Sequence, residues 1–275
     1  MAFRLLHYSD PHFGAFDPRI SRAAVEIARK LEPDLTVVSG DFTMRGRRFE
    51  FVLAKEWLAK LPTPLVAFPG NHDVPGLNHL ADRFWSPFRR FRKYISEIEE
   101  PSAKLGDVGS LTTANSSTPF GLHVDWSRGF LSPMQLQAAA SFFEEMPEDQ
   151  LRVFGIHHPV VGSGEKARAL VSPMPLVKIF CKHTKIDLIL AGHFHQSKIC
   201  LLPEETEDED SHRMVVSQAP SICSTRLKGA PNGFHLLSLS RDTIEIELWH
   251  WHSDHFLPEK TRAFSRVENG WEMDS

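Results

Sequence analysis

The sequence contains little cysteine and no long apolar run. Its three cysteines, Cys181, Cys200 and Cys223, are odd in number and lack the CxxC spacing of a zinc or redox site, so they imply no disulfide framework and favour a reducing compartment. No stretch of about 18 apolar residues occurs, and the first residues show no charged segment followed by an apolar run of signal-peptide length. We therefore expect a cytoplasmic protein.

A strong net charge is also absent. The 275 residues include 31 Lys and Arg against 35 Asp and Glu, and the net charge of −4 gives no reason to expect stable binding to nucleic acid. Hydrophobic residues make up 41% and charged residues 24%, which is typical of a folded globular protein. Histidine is frequent by contrast, with fifteen residues, and it is the commonest metal ligand in proteins.

Short apolar runs, which predict buried strands, alternate with segments of helical spacing. Five of these runs are followed directly by polar residues, at 3–8, 35–38, 65–68, 151–156 and 186–190. The helix after the first run is predicted to begin at Pro18, with Asp17 as its cap. The alternation predicts an α/β sheet with parallel central strands. Strand patterns without long helices after about residue 197 predict a second sheet.

Each of the five strand ends carries a short motif rich in Asp and His. The motifs are Asp10-x-His12, Gly40-Asp41, Gly70-Asn71-His72-Asp73, His157-x-Pro159 and Gly192-His193-x-His195. Functional loops of α/β sheets gather at the carboxyl ends of the strands, so we expect these side chains to lie together. Carboxylate oxygen combined with imidazole nitrogen suits Mn, Fe or Zn better than calcium. Taken singly, a buried His is more often a core residue and Gly-Asp is often only a turn, so the inference rests on the complete set.

This set resembles the pattern of the calcineurin-like metallophosphoesterase superfamily, which is DxH, GD, GNH(D/E), HxP and GHxH, over roughly Phe3 to His195. The resemblance implies a four-layer α/β/β/α sandwich with two central mixed sheets, formed here by residues 1–275 as a single domain. It also implies two divalent transition-metal ions. The residues that match the family's ligands are Asp10, His12 and His195 for one ion, Asn71, His157 and His193 for the other, and Asp41 as the bridge between them.

Three neighbours of these motifs need a separate interpretation. We take His157 as the ligand in the His157-His158 doublet because the family's ligand lies two residues before the proline, which leaves His158 as a structural or substrate-binding residue. Purple acid phosphatases of the same superfamily have a tyrosine three residues after the bridging aspartate, where this sequence has Met44, so no tyrosinate-iron site is expected. Arg45, close to Asp41, is a candidate phosphate contact.

Two divalent ions held about 3.5–4 Å apart can lower the pKa of a bridging water and stabilise in-line displacement at phosphorus. We therefore predict an enzyme that hydrolyses phosphodiester bonds through a metal-bridging hydroxide. His72 is predicted either to protonate the leaving oxygen or to stabilise charge on the phosphate, and the alternative is a core histidine with no chemical role. Asp73 is predicted to orient His72 or only to cap the turn.

Phosphomonoesters, phosphodiesters and pyrophosphates would all suit such a centre. The segment 129–136, Gly-x-Leu-Ser-Pro-x-Gln-Leu, resembles the bacterial class III cyclic-nucleotide phosphodiesterase branch and favours a small diester or nucleotide-type substrate. The alternatives are a UDP-sugar or lipid pyrophosphatase or a phosphomonoesterase of the same fold, and a non-catalytic binding protein.

A basic segment, Arg83 to Lys93, lies in a predicted cap or lid insertion at about 76–105. Ser86-Pro87 predicts a helix start. Its apolar stripe consists of Phe88, Phe91, Ile95 and Ile98. The helix either packs on the sandwich as a cap or forms a basic lid that holds an anionic substrate through Arg89 and Arg90 or contacts lipid head groups of a membrane.

Near the end of the sequence, His250 and His252 alternate along a predicted strand and share one of its faces. We expect an exposed edge strand or a subunit interface, such as that of a homodimer, in preference to a second metal site.

Overall fold

The computed structural model describes residues 2–76, 80–119, 127–162, 171–203 and 212–274. The helices in these ranges are α1 (Pro18–Leu31), α2 (Arg48–Leu58), α3 (Leu80–Trp85), α4 (Arg89–Tyr94), α5 (Pro133–Glu144) and α6 (Met174–Thr184), and Asn71–Asp73 form a 3₁₀ turn. The strands are β1 (Phe3–Tyr8), β2 (Leu35–Ser39), β3 (Leu65–Phe68), β4 (Ser102–Leu105), β5 (Gly109–Ala114), β6 (Leu151–Ile156), β7 (Leu188–Ala191), β8 (Lys198–Leu202), β9 (Met214–Gln218), β10 (Gly233–Leu239), β11 (Thr243–His252), β12 (His255–Val267) and β13 (Gly270–Met273).

The strands form two mixed sheets. The first has the order β13-β12-β11-β10-β1-β2-β3, and the second has the order β4-β5-β6-β7-β9-β8. Strands β1, β2 and β3 are parallel, as are β5, β6, β7 and β9. The predicted α/β fold with parallel central strands is confirmed.

The two sheets pack face to face, with helices on both outer faces. Leu5 and Val37 of the first sheet belong to the same central apolar cluster as Val153 and Leu190 of the second. Because successive side chains of a strand point to opposite faces, Leu6 lies instead in the outer cluster with α1 and α2. Helices α5 and α6 cover the other sheet. This is the predicted four-layer sandwich, and burial on both faces explains why its parallel strands are continuous apolar runs.

Two sheets are present, as predicted, but the strands after residue 197 do not form one of them on their own, and that part of the prediction is wrong. Strands β10 to β13 extend the first sheet from β1, whereas β8 and β9 join the other sheet. The predicted edge strand with His250 and His252 is also wrong, because β11 pairs with β10 on one side and β12 on the other. His250 is buried and its Nδ1 contacts Glu259.

The basic segment also differs from its prediction. The helix there begins at Arg89 and ends at Tyr94, so Ile98 is not part of it. Its N-cap position is Phe88, which makes no side-chain capping hydrogen bond, so Ser86 is not the cap. The Ser96 hydroxyl donates to the carbonyl of Ile98 and accepts from its amide, and this local turn replaces further helix. Of the predicted insertion at 76–105, residues 77–79 lie outside the described ranges.

Within the described residues, no helix has both the length and the apolarity needed to cross a bilayer.

Candidate metal centre

All five motifs lie at one edge of the sandwich, where β1, β2, β3, β6 and β7 end. Hydrogen bonds between the two sheets join them there: the His157 imidazole Nδ1 lies 2.8 Å from the carbonyl oxygen of Ser39, and the amide of His193 donates to Asp10 Oδ2 at 2.9 Å. Residues from distant parts of the sequence are therefore held in one place. Among the described residues, four overlapping groups each bring three ligand atoms within 4.8 Å of one another: Asp10, His12 and His195; Asp10, Asp41 and His157; His12, Asp41 and His72; His157, His158 and His193.

The first set of predicted ligands, Asp10, His12 and His195, converges on one point. Asp10 Oδ1 lies 3.3 Å from His195 Nε2 and 3.6 Å from His12 Nε2, and the two imidazole nitrogens are 3.0 Å apart. All three side chains are buried. Their ligand atoms face one another and not the solvent.

The second set, Asn71, His157 and His193, converges in the same way. The Asn71 Oδ1 oxygen lies 3.2 Å from His157 Nε2 and 3.0 Å from His193 Nδ1. Asp41 lies between the two sets, since its Oδ2 oxygen is 3.5 Å from His12 Nε2 and 3.4 Å from His157 Nε2. The structure thus brings together all seven predicted ligands, with Asp41 in the position expected of a bridge.

The donor set fits a pair of cations. Asp10 Oδ1 is buried and has no hydrogen-bond partner among the described residues. A buried carboxylate oxygen without a donor is costly, and a cation would satisfy it. Two carboxylates, one amide oxygen and four imidazoles form the mixed oxygen and nitrogen set that Mn, Fe and Zn accept.

The backbone of the site is strained. Asp10, His12, Asp41, His193 and His195 all have φ between 49° and 74°. This left-handed region is rare for residues other than glycine, and its clustering at one site is typical of functional residues held in place by the surrounding structure.

Two glycines of the motifs, Gly40 and Gly70, are required because atoms of the centre lie too close to them for a side chain to fit. A Cβ atom on Gly70 would lie 2.2 Å from Asp41 Oδ1, and one on Gly40 would lie 2.5 Å from His157 Nδ1. Neither distance leaves room for a side chain. Glycine at these positions lets the Asp41 and His157 side chains reach the centre.

Burial and charge control ionisation in the centre. Burial acts to raise the pKa of Asp10 and Asp41, but the neighbouring histidines outweigh it and hold both pKa values well below their usual range. Burial, supported by the charge of His157, lowers the pKa of His193 to about 3. Burial opposes protonation of His157 as well, but Asp41 raises the pKa of His157 to about 9. A metal held by His157 would take the place of the proton on its ligand nitrogen.

His72 is half-buried at the edge of the centre. Its amide donates to Asp41 Oδ1 at 2.8 Å, its Nδ1 lies 2.7 Å from the carbonyl oxygen of Met44, and its Nε2 lies 3.2 Å from Arg226 Nη1. The ring packs edge-on against His12 with ring centres 4.8 Å apart, so His72 lies directly beside the predicted ligands.

Asp73 does not contact the His72 ring. Its carboxylate accepts from the amides of Phe42, Thr43 and Gly70 and from the Thr43 hydroxyl. Burial and then the charge of Asp41 raise the pKa of Asp73 to about 7, while these donors act in the opposite direction. The contacts support the turn-capping alternative, since Asp73 ties the Asp41 loop to the Asn71 loop.

The predicted substrate contacts lie in different places. His158 is fully buried, with its Nδ1 2.9 Å from the Ser116 hydroxyl, which fits a structural residue. Arg45 is exposed. Arg89 and Arg90 both pair with the carboxylate of Asp82, at 2.9 and 3.1 Å.

The sequence motifs did not include two kinds of residue that support the centre. Ser9 Oγ donates to Asp10 Oδ2 at 2.5 Å, and Ser39 Oγ donates to Ser9 Oγ at 2.9 Å. In the sequence, their positions directly before Asp10 and Gly40 are the one feature that indicates such a supporting role. Arg226, in the loop between β9 and β10, has no motif around it.

Comparisons with known proteins agree with this site. The family model described as calcineurin-like phosphoesterase matches residues 3–197. The glycerophosphodiester phosphodiesterase GpdQ of Enterobacter lignolyticus is 27% identical over 221 residues, which cover 72% of this chain and 76% of that protein. A probable cyclic nucleotide phosphodiesterase of Vesicomyosocius okutanii is 23% identical over 172 residues, which cover 60% of this chain and 63% of that protein. The solved structure of PhoD has a TM-score of 0.75 at 11% identity, covering 100% of this chain and 72% of that one, which indicates the same fold.

Proposed function

Because this chain belongs to the calcineurin-like phosphoesterase family and is a hydrolase of phosphate esters, we propose that it is a dinuclear-metal phosphodiesterase acting on small diesters. The observation that carries the proposal is the position of Asp41 Oδ2. It lies within 3.5 Å of a ligand nitrogen in each of the two sets, His12 Nε2 in the first and His157 Nε2 in the second. A carboxylate shared in this way would hold two ions close enough to act on one phosphate.

Asp10, His12 and His195 would hold one ion, and Asn71, His157 and His193 the other. With Mn, Fe or Zn bound, the centre would polarise a phosphoryl oxygen and activate water for in-line attack. The strained loops and the hydrogen bonds from Ser9 and Ser39 hold the ligand side chains in their positions in the centre.

Small diesters are favoured by the relatives. One is a glycerophosphodiester phosphodiesterase and another is a probable cyclic nucleotide phosphodiesterase, and both substrates are diesters. The 129–136 segment adds no structural support for this choice, because Ser132 and Gln135 cap α5 and Leu131 is buried.

A lipid-facing lid is not part of this proposal. Phe88 is 6% exposed, Phe91 is fully buried, and the Arg83 guanidinium donates to the carbonyl oxygen of Pro75. The lipid pyrophosphatase alternative therefore gains no support from this segment.

A substrate screen with Mn-loaded protein tests the proposal. The panel contains glycerophosphodiesters, cyclic nucleotides, UDP-sugars and phosphomonoesters, with protein stripped by a chelator as the control. We expect metal-dependent hydrolysis with a glycerophosphodiester or a cyclic nucleotide as the preferred substrate. Preference for monoesters over every diester, or equal rates in stripped protein, would contradict the proposal.

A further inference from the structure

Arg226 lies on a loop that is tied firmly to the metal centre. The Ser221 hydroxyl donates to the carbonyl of Asp10 at 2.7 Å, and the amide of Ile222 donates to the carbonyl of Ser9 at 2.9 Å. Asn232 closes the loop by donating to two of its carbonyl oxygens. The loop that carries Arg226 is therefore positioned by the same strand end that supplies Asp10.

Arg226 itself contacts both the first set of predicted ligands, through His195, and the Asn71-His72 motif, through His72. Its carbonyl oxygen lies 2.9 Å from His195 Nδ1, and its guanidinium Nη1 lies 3.2 Å from His72 Nε2 and 3.8 Å from Met44 Sδ. The side chain is half-buried at the edge of the centre. A guanidinium held in this way is aimed before substrate arrives, which reduces the entropy lost on binding.

The guanidinium of Arg226 carries its positive charge at the edge of the metal centre. Among the ion pairs formed by the described residues, none includes Arg226, whereas Arg90 and Arg266 pair with Asp82 and Asp187. The carboxylates of the centre itself are directed at cations. A half-buried guanidinium next to a site for two divalent ions is well suited to bind an anionic group such as a phosphate.

We infer that Arg226 binds a non-bridging oxygen of the substrate phosphate, with His72 holding the guanidinium in place. This inference rests on the proposed function. His72 Nδ1 donates to the Met44 carbonyl and Nε2 accepts from Arg226, and the other N–H groups of the guanidinium have no hydrogen-bond partner among the described side chains. The same contact compensates the negative charge that builds up on phosphorus oxygens during displacement.

The test compares Arg226→Ala and Arg226→Gln with wild type, all loaded with Mn. Gln keeps an N–H for His72 but removes the charge. Arg29→Ala is the matched control, because Arg29 is exposed and lies far from the site. Its guanidinium donates to the carbonyl of Lys60, which precedes β3, whereas the site lies where β3 ends. Binding of inorganic phosphate is measured by calorimetry, and turnover with bis-p-nitrophenyl phosphate.

Both Arg226 variants should bind phosphate about ten- to a hundredfold more weakly than wild type and lose kcat/KM by a similar factor, with metal content retained. Added guanidinium ion should restore part of the activity of Arg226→Ala. Unchanged phosphate affinity in a metal-loaded Arg226→Gln variant would overturn the inference. The inference would also be overturned if Lys228→Ala lost phosphate affinity by this factor while Arg226→Gln did not. Lys228 contacts the His193 carbonyl, on the other side of the centre.

The two proposals fail differently. Phosphate binding that depends on Arg226, in a protein that hydrolyses no diester, would contradict the proposed function and leave the phosphate contact standing. Diester hydrolysis by the wild type, together with unchanged phosphate affinity in both Arg226 variants, would contradict the phosphate contact and leave the proposed function standing.

Discussion

The Nδ1 nitrogen of His72 lies 2.7 Å from the backbone carbonyl oxygen of Met44. A carbonyl oxygen only accepts, so Nδ1 is the donor in this contact, and Nε2 accepts from the Arg226 guanidinium, which can only donate. In this arrangement Nε2 has no proton to give to a leaving group. The contacts therefore favour the second of the roles predicted for His72, in which it helps to stabilise charge on the phosphate.

His72→Ala should keep its metals and lower kcat/KM by about ten- to a hundredfold. The loss should be equal for p-nitrophenyl and alkyl diesters, because no proton is delivered to the leaving group. A general acid would be worth about 10²–10⁴ and would matter most for the alkyl ester, so a larger loss with the alkyl ester would contradict this role. His252→Ala, an exposed position, is the control.

Phe91→Ala tests whether the basic segment is a packed cap. Phe91 is fully buried beside Phe42, with ring centres 5.8 Å apart, so the free energy of unfolding should fall by about 3–5 kcal/mol. Trp85→Ala, at a position 84% exposed, should change it little. Urea denaturation measures both. A fully stable Phe91→Ala protein that has lost binding to anionic liposomes would favour the lipid lid instead.

The sequence predicted the site far better than the sheet order. Asp17 caps α1 and Pro18 begins it, as local chemistry requires, and five polar motifs after apolar runs were enough to place the seven predicted ligands together. The pairing of β1 with β10, such as Leu5 opposite Leu237, joins residues far apart in sequence and leaves no local pattern. Arg226 was missed for the same reason, since only the folded loop brings it to His72.

Gly70→Ala tests the close packing around Asp41. The added methyl would lie 2.2 Å from Asp41 Oδ1 and 2.3 Å from the Asp41 amide nitrogen, so the Asp41 loop must shift. We expect weaker metal binding and a lower kcat, measured by metal analysis after gel filtration and by diester turnover. Gly106→Asn is the control, because a Cβ there meets only ordinary contact at 3.6 Å and Asn tolerates its positive φ. Full metal content and activity in Gly70→Ala would contradict this description of the site.

His7 should make folding stability depend on pH. It is buried between the Ser39 and Ser217 hydroxyls, and burial lowers its pKa to about 3. The unfolded chain binds a proton on this residue near pH 6.5, so between these values the unfolded state holds more protons. Stability is therefore fully present above about pH 6.5 and is lost as the pH falls towards 3, at up to about 1.4 kcal/mol per pH unit.

The comparison that isolates this effect is wild type against His7→Gln in urea denaturation at pH 7.5, 6 and 5. The difference in unfolding free energy between the two should shrink as the pH falls. His255→Gln, an exposed position, should show no such trend. A difference between wild type and His7→Gln that stays constant over this range would contradict the buried neutral state.

The most direct test of the dinuclear centre is the metal content and bis-p-nitrophenyl phosphate turnover of Mn-loaded wild type and Asp41→Ala, with Asp149→Ala as a surface control that is 61% exposed. Wild type and the control should hold about two ions per chain and hydrolyse the diester. Asp41→Ala should lose metal and show no turnover above the rate without protein, because its carboxylate lies between both ligand clusters. A metal-loaded Asp41→Ala protein with the turnover of wild type would contradict the account.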